Sequence, residues 1–315
     1  MSLMRLLITG GAGCLGSNLI ERYFPEGHEI FVIDNFATGK REVVPAQEGL
    51  TVVEGSIADA DLVTRTFDSF RPTHVIHSAA SYKDTMDWQE DTATNVLGAI
   101  NVAKAAAAHK VQRFVNFQTA LCYGRPKSTP IGLDQPTAPI TSYGISKTAG
   151  EAYLMRSGLP VVSLRLANIC GPRLAIGPIP TFYKRLKSGQ DCFCSETTRD
   201  FLDMNDFYLL MDDVLRLDAP TGVFNVSTGE GRTIHDVFLA VANYLGIAPT
   251  DVSLVPPGQD DVPQVVLDPS ATQQAFGWTA KVNFEDTIAN QLRWYDQYGI
   301  NDIYSHLFAP LTRKA

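Results

Sequence analysis

The chain has 315 residues, enough for one large domain or two domains that share an interface. Hydrophobic residues make up 45% of the chain and charged residues 19%, a balance that excludes disordered and fibrous proteins. The formal net charge is -8 and no block of lysine and arginine interrupts the acidic background, so neither nucleic acid nor an anionic membrane is an expected partner.

The start of the chain and the cysteines predict a cytoplasmic protein without disulfides. Residues 1–3 precede a second methionine, Met4, and predict a leader added for expression. No run approaches the roughly 20 apolar residues of a membrane helix. The apolar residues 6–8 continue directly into glycines, which leaves no room for a signal peptide. The five cysteines are scattered without zinc-like spacing, so we expect no metal site.

Up to about residue 167, short apolar runs alternate with amphipathic segments, which is typical of βαβ units and a buried parallel sheet. The predicted strands are residues 5–9, 29–33, 51–54, 74–77, 113–118 and 160–166, and the predicted helices are residues 15–24, 61–70, 91–109 and 142–156. Beyond residue 173, prolines become frequent, and helices such as 234–245 and 284–298 alternate with short strands. The pattern predicts an α/β fold with a doubly wound parallel sheet in residues 1–167. Residues 168–315 would form a smaller C-terminal α/β lobe, and returns of strands and helices to the first domain stay open.

A glycine-rich turn follows the first predicted strand. Gly10, Gly13 and Gly16 have the spacing G-x-x-G-x-x-G, which lets the backbone approach a pyrophosphate at a helix N-terminus. Asp34 ends the second strand about 20 residues downstream, where a carboxylate accepts both hydroxyls of an adenosine ribose. Each feature alone also fits an ordinary turn, but together they predict a dinucleotide-binding Rossmann domain. Because Asp34 would repel a 2′-phosphate, the predicted cofactor is NAD.

Tyr143 and Lys147 lie four residues apart on one face of a predicted helix. A nearby cation favours the phenolate of a tyrosine and makes it a useful base near neutral pH. Thr119 follows the strand of residues 113–118, at the edge where parallel strands present functional groups. The alternatives are a surface helix pair and a strand-capping threonine.

With these motifs in place, the sequence resembles the extended short-chain dehydrogenase/reductase family over nearly the whole chain. The matching stretches are residues 9–16, 32–35 with 38–40, 77–80, 95–98, 118–124, 143–147, 165–168 with 171–173, and 199–201. Within the family the chain is similar to nucleotide-sugar epimerases and dehydratases of the UDP-galactose 4-epimerase type, including those that serve bacterial surface-polysaccharide synthesis.

The resemblance implies roles for particular residues. Thr119, Tyr143 and Lys147 would be catalytic, and Asn95 would support Lys147. The residues implied at the cofactor are Gly10, Gly13, Cys14, Leu15, Gly16, Asp34, Asn35, Gly39, Ser56, Ile57, Ala79, Ala80, Asn95, Tyr143 and Lys147. The residues implied in the sugar-nucleotide site, which the C-terminal lobe would share, are Thr119, Asn168, Arg199, Asp261 and Val265.

Three departures from the family pattern bear on these roles. Residues 120–121 are alanine and leucine where 4,6-dehydratases carry an Asp-Glu pair, which favours epimerisation. Ser56 replaces an aspartate in the adenine-facing loop, which predicts a weaker polar contact to adenine. Residues 256–261 lack the arginine that precedes Pro-Gly-Asp in relatives, which bears on nucleotide affinity. Asp261 could still accept a ribose hydroxyl, with a solvated turn as the alternative.

Val265 bears on the size of the sugar. In the UDP-galactose 4-epimerase type, a residue a few positions after the Pro-Gly-Asp segment lines the sugar pocket, and a large aromatic there excludes N-acetylated sugars. Counting from Asp261 places Val265 at this position, so the resemblance implies a pocket that admits a bulky C2 substituent. The alternative is a strand valine that packs inward.

The predicted function is therefore an NAD-dependent nucleotide-sugar 4-epimerase that works through a transient 4-keto sugar, with UDP as the expected nucleotide. A dehydratase or reductase on the same fold is the alternative, and a non-catalytic dinucleotide sensor is a third hypothesis. The predicted helices of residues 91–109 and 142–156 contain more apolar residues than one stripe facing the sheet requires. In relatives these two helices pair across a twofold axis, so we expect a homodimer.

Overall fold

The computed structural model describes residues 3–44, 46–248, 251–258 and 261–303. Met1 and Ser2 of the predicted leader lie outside these ranges, and Leu3 is exposed. No helix within them is long and apolar enough to cross a membrane. No group of three or more His, Cys, Asp and Glu side chains in the same ranges could hold a metal ion.

The main sheet of the described chain has seven strands, all parallel. They are β1 (Arg5–Thr9), β2 (Glu29–Asp34), β3 (Leu50–Glu54), β4 (His74–His77), β5 (Arg113–Thr119), β6 (Val161–Leu166) and β11 (Gly222–Val226). Their spatial order is β3-β2-β1-β4-β5-β6-β11. The order reverses between β1 and β4, and in sheets of this type ligands bind beyond the carboxyl ends of the strands at that reversal.

Helices cover both faces of the sheet, which is why its strands are apolar on both sides. On one face lie α1 (Cys14–Tyr23) and α7 (Met204–Val214), and on the other lie α2 (Ala60–Phe70), α4 (Ala99–Ala108) and α5 (Ser142–Met155). The predicted doubly wound parallel sheet is confirmed. Both β11 and α7 follow residue 167. Two elements from the later part of the chain therefore return to the main sheet, β11 as an edge strand and α7 as a helix on one face.

The predicted helix of residues 91–109 is wrong in one respect, because it is not a single α-helix. It consists of α3 (Trp88–Thr92), a π-helical segment (Ala93–Gly98) and α4. The apolar pattern continues through all three parts, so periodicity alone could not reveal the wider turn. π-helical turns occur frequently at functional sites, and this one contains Asn95.

The remaining α-helices and strands all follow residue 167. Helices α6 (Pro178–Lys187), α8 (Ile234–Tyr244) and α10 (Phe284–Tyr298) pack around one apolar core, and α9 (Ser270–Phe276) lies against β11. The short strands are β7 (Asn168–Cys170), β8 (Phe193–Ser195), β9 (Thr198–Arg199), β10 (Phe201–Asp203), β12 (Arg232–Thr233), β13 (Ser253–Val255) and β14 (Gln264–Val265). They pair as β7 with β10, β8 with β13, and β9 between β12 and β14.

A buried ion pair joins helix α5 to strand β6. The Arg165 guanidinium donates to the Glu151 carboxylate at 2.7 Å, and their side chains are 11% and 5% exposed. Arg165 also donates to the Tyr123 hydroxyl, which donates to the Asn225 side chain on β11. The Asn225 amide reaches the Ile131 carbonyl. This network fixes the positions of three parts of the chain relative to one another: helix α5, strand β11, and the segment that follows β5.

Candidate active site

The glycine turn after β1 packs closely against neighbouring backbone. Gly10 has φ +69°, and a Cβ there would lie 2.6 Å from the Ala79 Cα. A Cβ on Gly16 would lie 2.4 Å from the Gly10 carbonyl oxygen, so the helix starts directly against the turn. Gly13 precedes α1, and no side chain caps that end of the helix. The uncapped amides and the helix dipole make this turn suited to an anion.

Asp34 lies beside the glycine turn at the end of β2. Its carboxylate accepts hydrogen bonds from the Ala12 and Phe36 backbone amides, each at 2.8 Å. Burial raises the pKa of Asp34, and these two hydrogen bonds oppose the rise. A carboxylate has about four acceptor positions, so Asp34 retains the capacity to bind a diol. Gly39 packs onto Ala12, where a Cβ would approach to 2.7 Å.

The other residues implied at the cofactor lie along the same edge. Ser56 accepts a hydrogen bond from the Ala58 amide at 3.1 Å, while Asn35 accepts one from the Ala37 amide. Ile57 is buried beneath Gly98. The remaining ones, which open α1 or follow β4, are Cys14, Leu15, Ala79 and Ala80, all half-buried. Burial raises the pKa of the Cys14 thiol to about 12, so it is protonated at neutral pH.

Thr119 and Lys147 are linked through Gln118, a site residue that the sequence motifs do not single out. The Gln118 side chain donates to the Lys147 carbonyl at 2.9 Å and accepts from the Thr119 amide at 2.7 Å. The Thr119 hydroxyl oxygen accepts from the Leu121 amide at 3.1 Å, which leaves its hydrogen to donate elsewhere. The end of β5 and the helix that carries Tyr143 therefore meet.

Asn95 holds the loop after β4 against α5. Its side chain exchanges two hydrogen bonds of 2.9 Å with the Ser81 backbone and donates to the Ser146 hydroxyl at 3.0 Å. A Cβ on Gly150 would lie 2.3 Å from the Asn95 carbonyl oxygen, so the π-helical segment and α5 are in direct backbone contact. Asn95 thus positions the loop after β4 relative to α5.

Burial shifts the pKa of two ionisable groups of α5, Lys147 and Tyr143. Burial lowers the pKa of Lys147 to about 8, against the opposing charge of Glu151. Burial raises the pKa of Tyr143, and the neighbouring Tyr82 and Asp91 raise it further. Desolvation of the phenolate dominates the net shift, and the expected lowering of the Tyr143 pKa by Lys147 stays a prediction.

Three further groups lie near α5: Tyr82 and Asp91 are in none of the sequence motifs, and His77, in the matching stretch 77–80, has no role assigned there. The Tyr82 ring lies edge-on to Tyr143, with 6.1 Å between centroids. Asp91 is 1% exposed, and neither carboxylate oxygen has a hydrogen-bond partner within the described residues. Burial and Lys147 lower the pKa of His77 to about 3, so this side chain stays neutral. No spacing pattern connects these residues, because they meet only through tertiary contacts.

The lobe residues implied at the substrate lie around β9. The Arg199 guanidinium donates to the Asp261 carboxylate at 2.6 Å, and Asn168 donates to the Asp200 carbonyl at 2.9 Å. Burial lowers the pKa of Arg199, and Asp261 opposes this. Val265 is 6% exposed in an apolar cluster that includes Ala120, which follows Thr119. Gln259 and Asp260, next to Asp261, lie outside the described residues.

Comparison with known proteins gives consistent matches. The model of the NAD dependent epimerase/dehydratase family matches residues 6–227. The chain is 31% identical to the UDP-glucose 4-epimerase of Mycolicibacterium smegmatis over 316 aligned positions, which cover 93% of this chain and 98% of that protein.

Two solved structures from Bordetella bronchiseptica are similar over their whole length. WbmG, crystallised with NAD and UDP, is 68% identical with a TM-score of 0.93, and the match covers 98% of each chain. WbmH, crystallised with NAD+, is 40% identical with a TM-score of 0.89, and the match covers 95% of this chain and 100% of that one.

The shifted lysine predicts how stability depends on pH. We expect ligand-free Lys147→Met to have a free energy of unfolding above that of the wild type at pH 7, by roughly 3 kcal/mol. The folded protein loses the Lys147 proton near pH 8 and the unfolded chain near pH 10.5. The wild type therefore gains stability as pH rises through this window, and the difference shrinks.

Urea titrations across this pH range measure the difference. Lys104→Met, at an exposed position of α4, is the control and should show no such dependence. A difference between Lys147→Met and wild type that stays constant from pH 7 to about 10.5 would contradict the assignment.

Proposed function

Because the chain belongs to the NAD-dependent epimerase/dehydratase family, we propose that it binds NAD and epimerises a UDP-linked sugar at C4. The observation that carries the proposal is a pair of links beyond the carboxyl ends of strands of one parallel sheet: Asp34 binds the glycine turn through the Ala12 amide, and Gln118 joins Thr119 to Lys147. The relatives named as UDP-glucose 4-epimerases and the crystal structure of WbmG with NAD and UDP support it.

The residues at the glycine turn fit NAD. At Gly10 and Gly16 a side chain would collide with backbone, so only glycine allows this tight turn. The amides at the start of α1, which no side chain caps, would bind the pyrophosphate. Asp34 would accept the hydroxyls of the adenosine ribose and repel a 2′-phosphate, which favours NAD over NADP. When bound, NAD supplies a hydride acceptor for C4 and a positively charged ring whose proximity favours the phenolate of Tyr143.

The side chains of the chain itself handle the proton. Tyr143 takes the proton of the C4 hydroxyl as the 4-keto sugar forms, and it returns the proton as the epimer forms. Thr119 donates its free hydroxyl hydrogen to the same oxygen. Lys147 would bind a hydroxyl of the cofactor ribose, and its charge would favour the phenolate of Tyr143. Because the sugar is first oxidised and then reduced at C4, no net redox change occurs.

The dehydratase alternative has no support at the positions where its acid and base would lie. Residues 120–121 form part of a 3-10 turn (Ala120–Tyr123) and carry only methyl and isobutyl groups. Neither can donate or accept the proton needed to eliminate water across C5 and C6. Epimerisation needs only Thr119, Tyr143 and Lys147, and all three are present.

We propose further that the protein acts in the cytoplasm and in surface-polysaccharide synthesis, on the strength of the sequence resemblance. We also propose a homodimer. Large apolar side chains are exposed on α5 and the π-helical segment, namely Leu97 (47%), Ile145 (54%), Tyr153 (54%) and Met155 (40%). Exposed apolar side chains in such number are typical of a protein interface. The two helices would pair with the same helices of a second copy.

The reaction can be tested with a panel of UDP-hexoses, UDP-N-acetylhexosamines and UDP-uronic acids, with products identified by NMR. We expect a C4 epimer and no net NADH absorbance. Tyr143→Phe should lower turnover of the accepted sugar by about 10²- to 10⁴-fold, because the base is lost, while NAD affinity stays nearly unchanged.

Tyr153→Phe, which removes a hydroxyl from the exposed face of the same helix, is the matched control and should retain full turnover. Near-wild-type turnover of Tyr143→Phe would refute the assigned base. Accumulation of a deoxy product would instead support the dehydratase.

The dimer can be tested by light scattering at micromolar concentration. We expect twice the mass of one chain for the wild type, and the monomer mass for Ile145→Glu, because a carboxylate would be desolvated at the centre of the interface. Leu217→Glu changes a residue of the same exposure, 54%, outside these helices and should stay dimeric. A monomeric wild type would overturn the proposal.

A further inference from the structure

A carboxylate without a hydrogen-bond partner lies in the interior beside α5. Asp91 on α3 is 1% exposed, and neither of its oxygens has a partner within the described residues. Burying such a group costs free energy that hydrogen bonds or an ion pair normally offset. Most buried polar groups of native proteins are bonded, so this exception requires an explanation.

Asp91 lies level with the tyrosine of α5. The segment from α3 to α4 and helix α5 both follow strands of the parallel sheet and cover the same face, so they run in the same direction. The Asn95 amide donates to the Ser146 hydroxyl at 3.0 Å. Asp91 is four residues before Asn95 and Tyr143 is three residues before Ser146, so the two side chains lie at the same height. The charge of Asp91 accordingly raises the pKa of Tyr143.

The proposed chemistry needs a place for one proton. In the ligand-free chain, burial raises the pKa of Tyr143, so the side chain is a phenol at neutral pH. The positive charge of bound NAD would favour the phenolate. The proton of the hydroxyl then has to move either to water or to another group of the protein.

The other titratable side chains around Tyr143 are unsuited to accept this proton. Burial and Lys147 lower the pKa of His77 to about 3, so this side chain stays neutral. The pKa of Lys147 is about 8, so this group already carries its proton at pH 7. The Glu151 carboxylate is bound by Arg165 at 2.7 Å. The remaining groups there are a phenol and four exposed charged side chains, namely Tyr82, Lys83, Asp84, Asp87 and Glu90.

Asp91 is the acceptor that remains. Among the described residues around Tyr143, it alone is a buried carboxylate with both oxygens unbonded. We propose that Asp91 takes the proton that Tyr143 gives up when NAD binds, and returns it when NAD leaves. The inference rests on the proposed function, because it takes NAD as the cofactor and Tyr143 as the base.

The transfer balances within the pair. The O–H bond of Tyr143 breaks and an O–H bond forms on a carboxylate oxygen of Asp91, and nothing is oxidised or reduced. The pair therefore holds one proton in both states, as two acids at close range do when the ionisation of both is unfavourable. The proton on Asp91 stays in place while Tyr143 exchanges a second proton with the C4 oxygen of the sugar.

The proposal explains why the carboxylate has no partner. A hydrogen bond from the protein would stabilise the charged form of Asp91 and so weaken it as a proton acceptor. The competing explanation is structural. Asp91 lies in the first turn of α3, where a negative charge stabilises the helix dipole.

The number of protons released on NAD binding distinguishes the two explanations. Calorimetric titration of the purified ligand-free protein with NAD, at pH 7 in buffers of different ionisation enthalpy, measures this number. We expect close to none for the wild type and roughly one per NAD for Asp91→Asn, in which Tyr143 has to release its proton to water. Below the pKa of Lys147, about 8, the NAD affinity of Asp91→Asn should therefore rise about tenfold per pH unit, while that of the wild type stays nearly constant.

Three further variants complete the experiment. Asp91→Leu also removes the carboxylate and should release as many protons as Asp91→Asn, so the result does not depend on one substitution. Asp91→Asn combined with Tyr143→Phe should release close to none, which identifies the source of the proton. Asp84→Asn is the matched control, because Asp84 is exposed in the preceding loop and asparagine keeps the acceptor for the Met86 amide. It should behave as the wild type.

The outcomes separate the proposal from its alternatives. Release of roughly one proton by the wild type, or of none by Asp91→Asn and Asp91→Leu, would overturn the proposal. A lower Tm of both variants together with the proton release of the wild type would assign Asp91 a structural role at the start of α3. Failure of the wild type to bind NAD would overturn the proposed function together with this inference.

Discussion

The buried ion pair between Glu151 and Arg165 is the interaction on which the arrangement of the site depends. Glu151 lies one helical turn after Lys147, and Arg165 lies on β6, so the pair fixes how far α5 sits along the sheet edge. Removing one partner of a buried ion pair leaves an unpaired buried charge, which lowers the free energy of unfolding by several kcal/mol. The same guanidinium binds Tyr123 and, through it, β11, so the segment after Thr119 cannot shift independently of the helix.

This rigidity has a consequence for the chemistry. The phenol and the ammonium group of α5 are held out of water, which raises the pKa of Tyr143 and lowers that of Lys147 to about 8. Both shifts work against the charged forms that proton transfer needs. The charges of a bound cofactor and substrate would favour the phenolate. Perturbed pKa values of this kind are frequent at active sites.

Sequence patterns were informative where function depends on local spacing. The glycines after β1, Asp34 at the end of β2 and the four-residue spacing of Tyr143 and Lys147 lie where the patterns place them, since strand ends and helix faces follow from periodicity. The π-helical turn around Asn95 was missed, because a wider turn leaves the apolar pattern unchanged. The role assigned to Val265 stays a prediction, as do those of the other site residues.

Pairings between distant residues had no local signal at all. Arg199 meets Asp261 across 62 positions, and Arg232 faces Arg199 only because two short strands pair. Spacing reveals a neighbouring charge, but it does not reveal how completely the fold removes water from Tyr143 and Lys147, which raises the first pKa and lowers the second.

The most direct measurement uses an accepted UDP-sugar that carries deuterium at C4. If the sugar is oxidised and then reduced at C4 by the same bound cofactor, the product epimer keeps the deuterium at C4. NMR of the product measures this. Loss of the label to water, or its appearance on released cofactor, would contradict epimerisation through a transient 4-keto sugar.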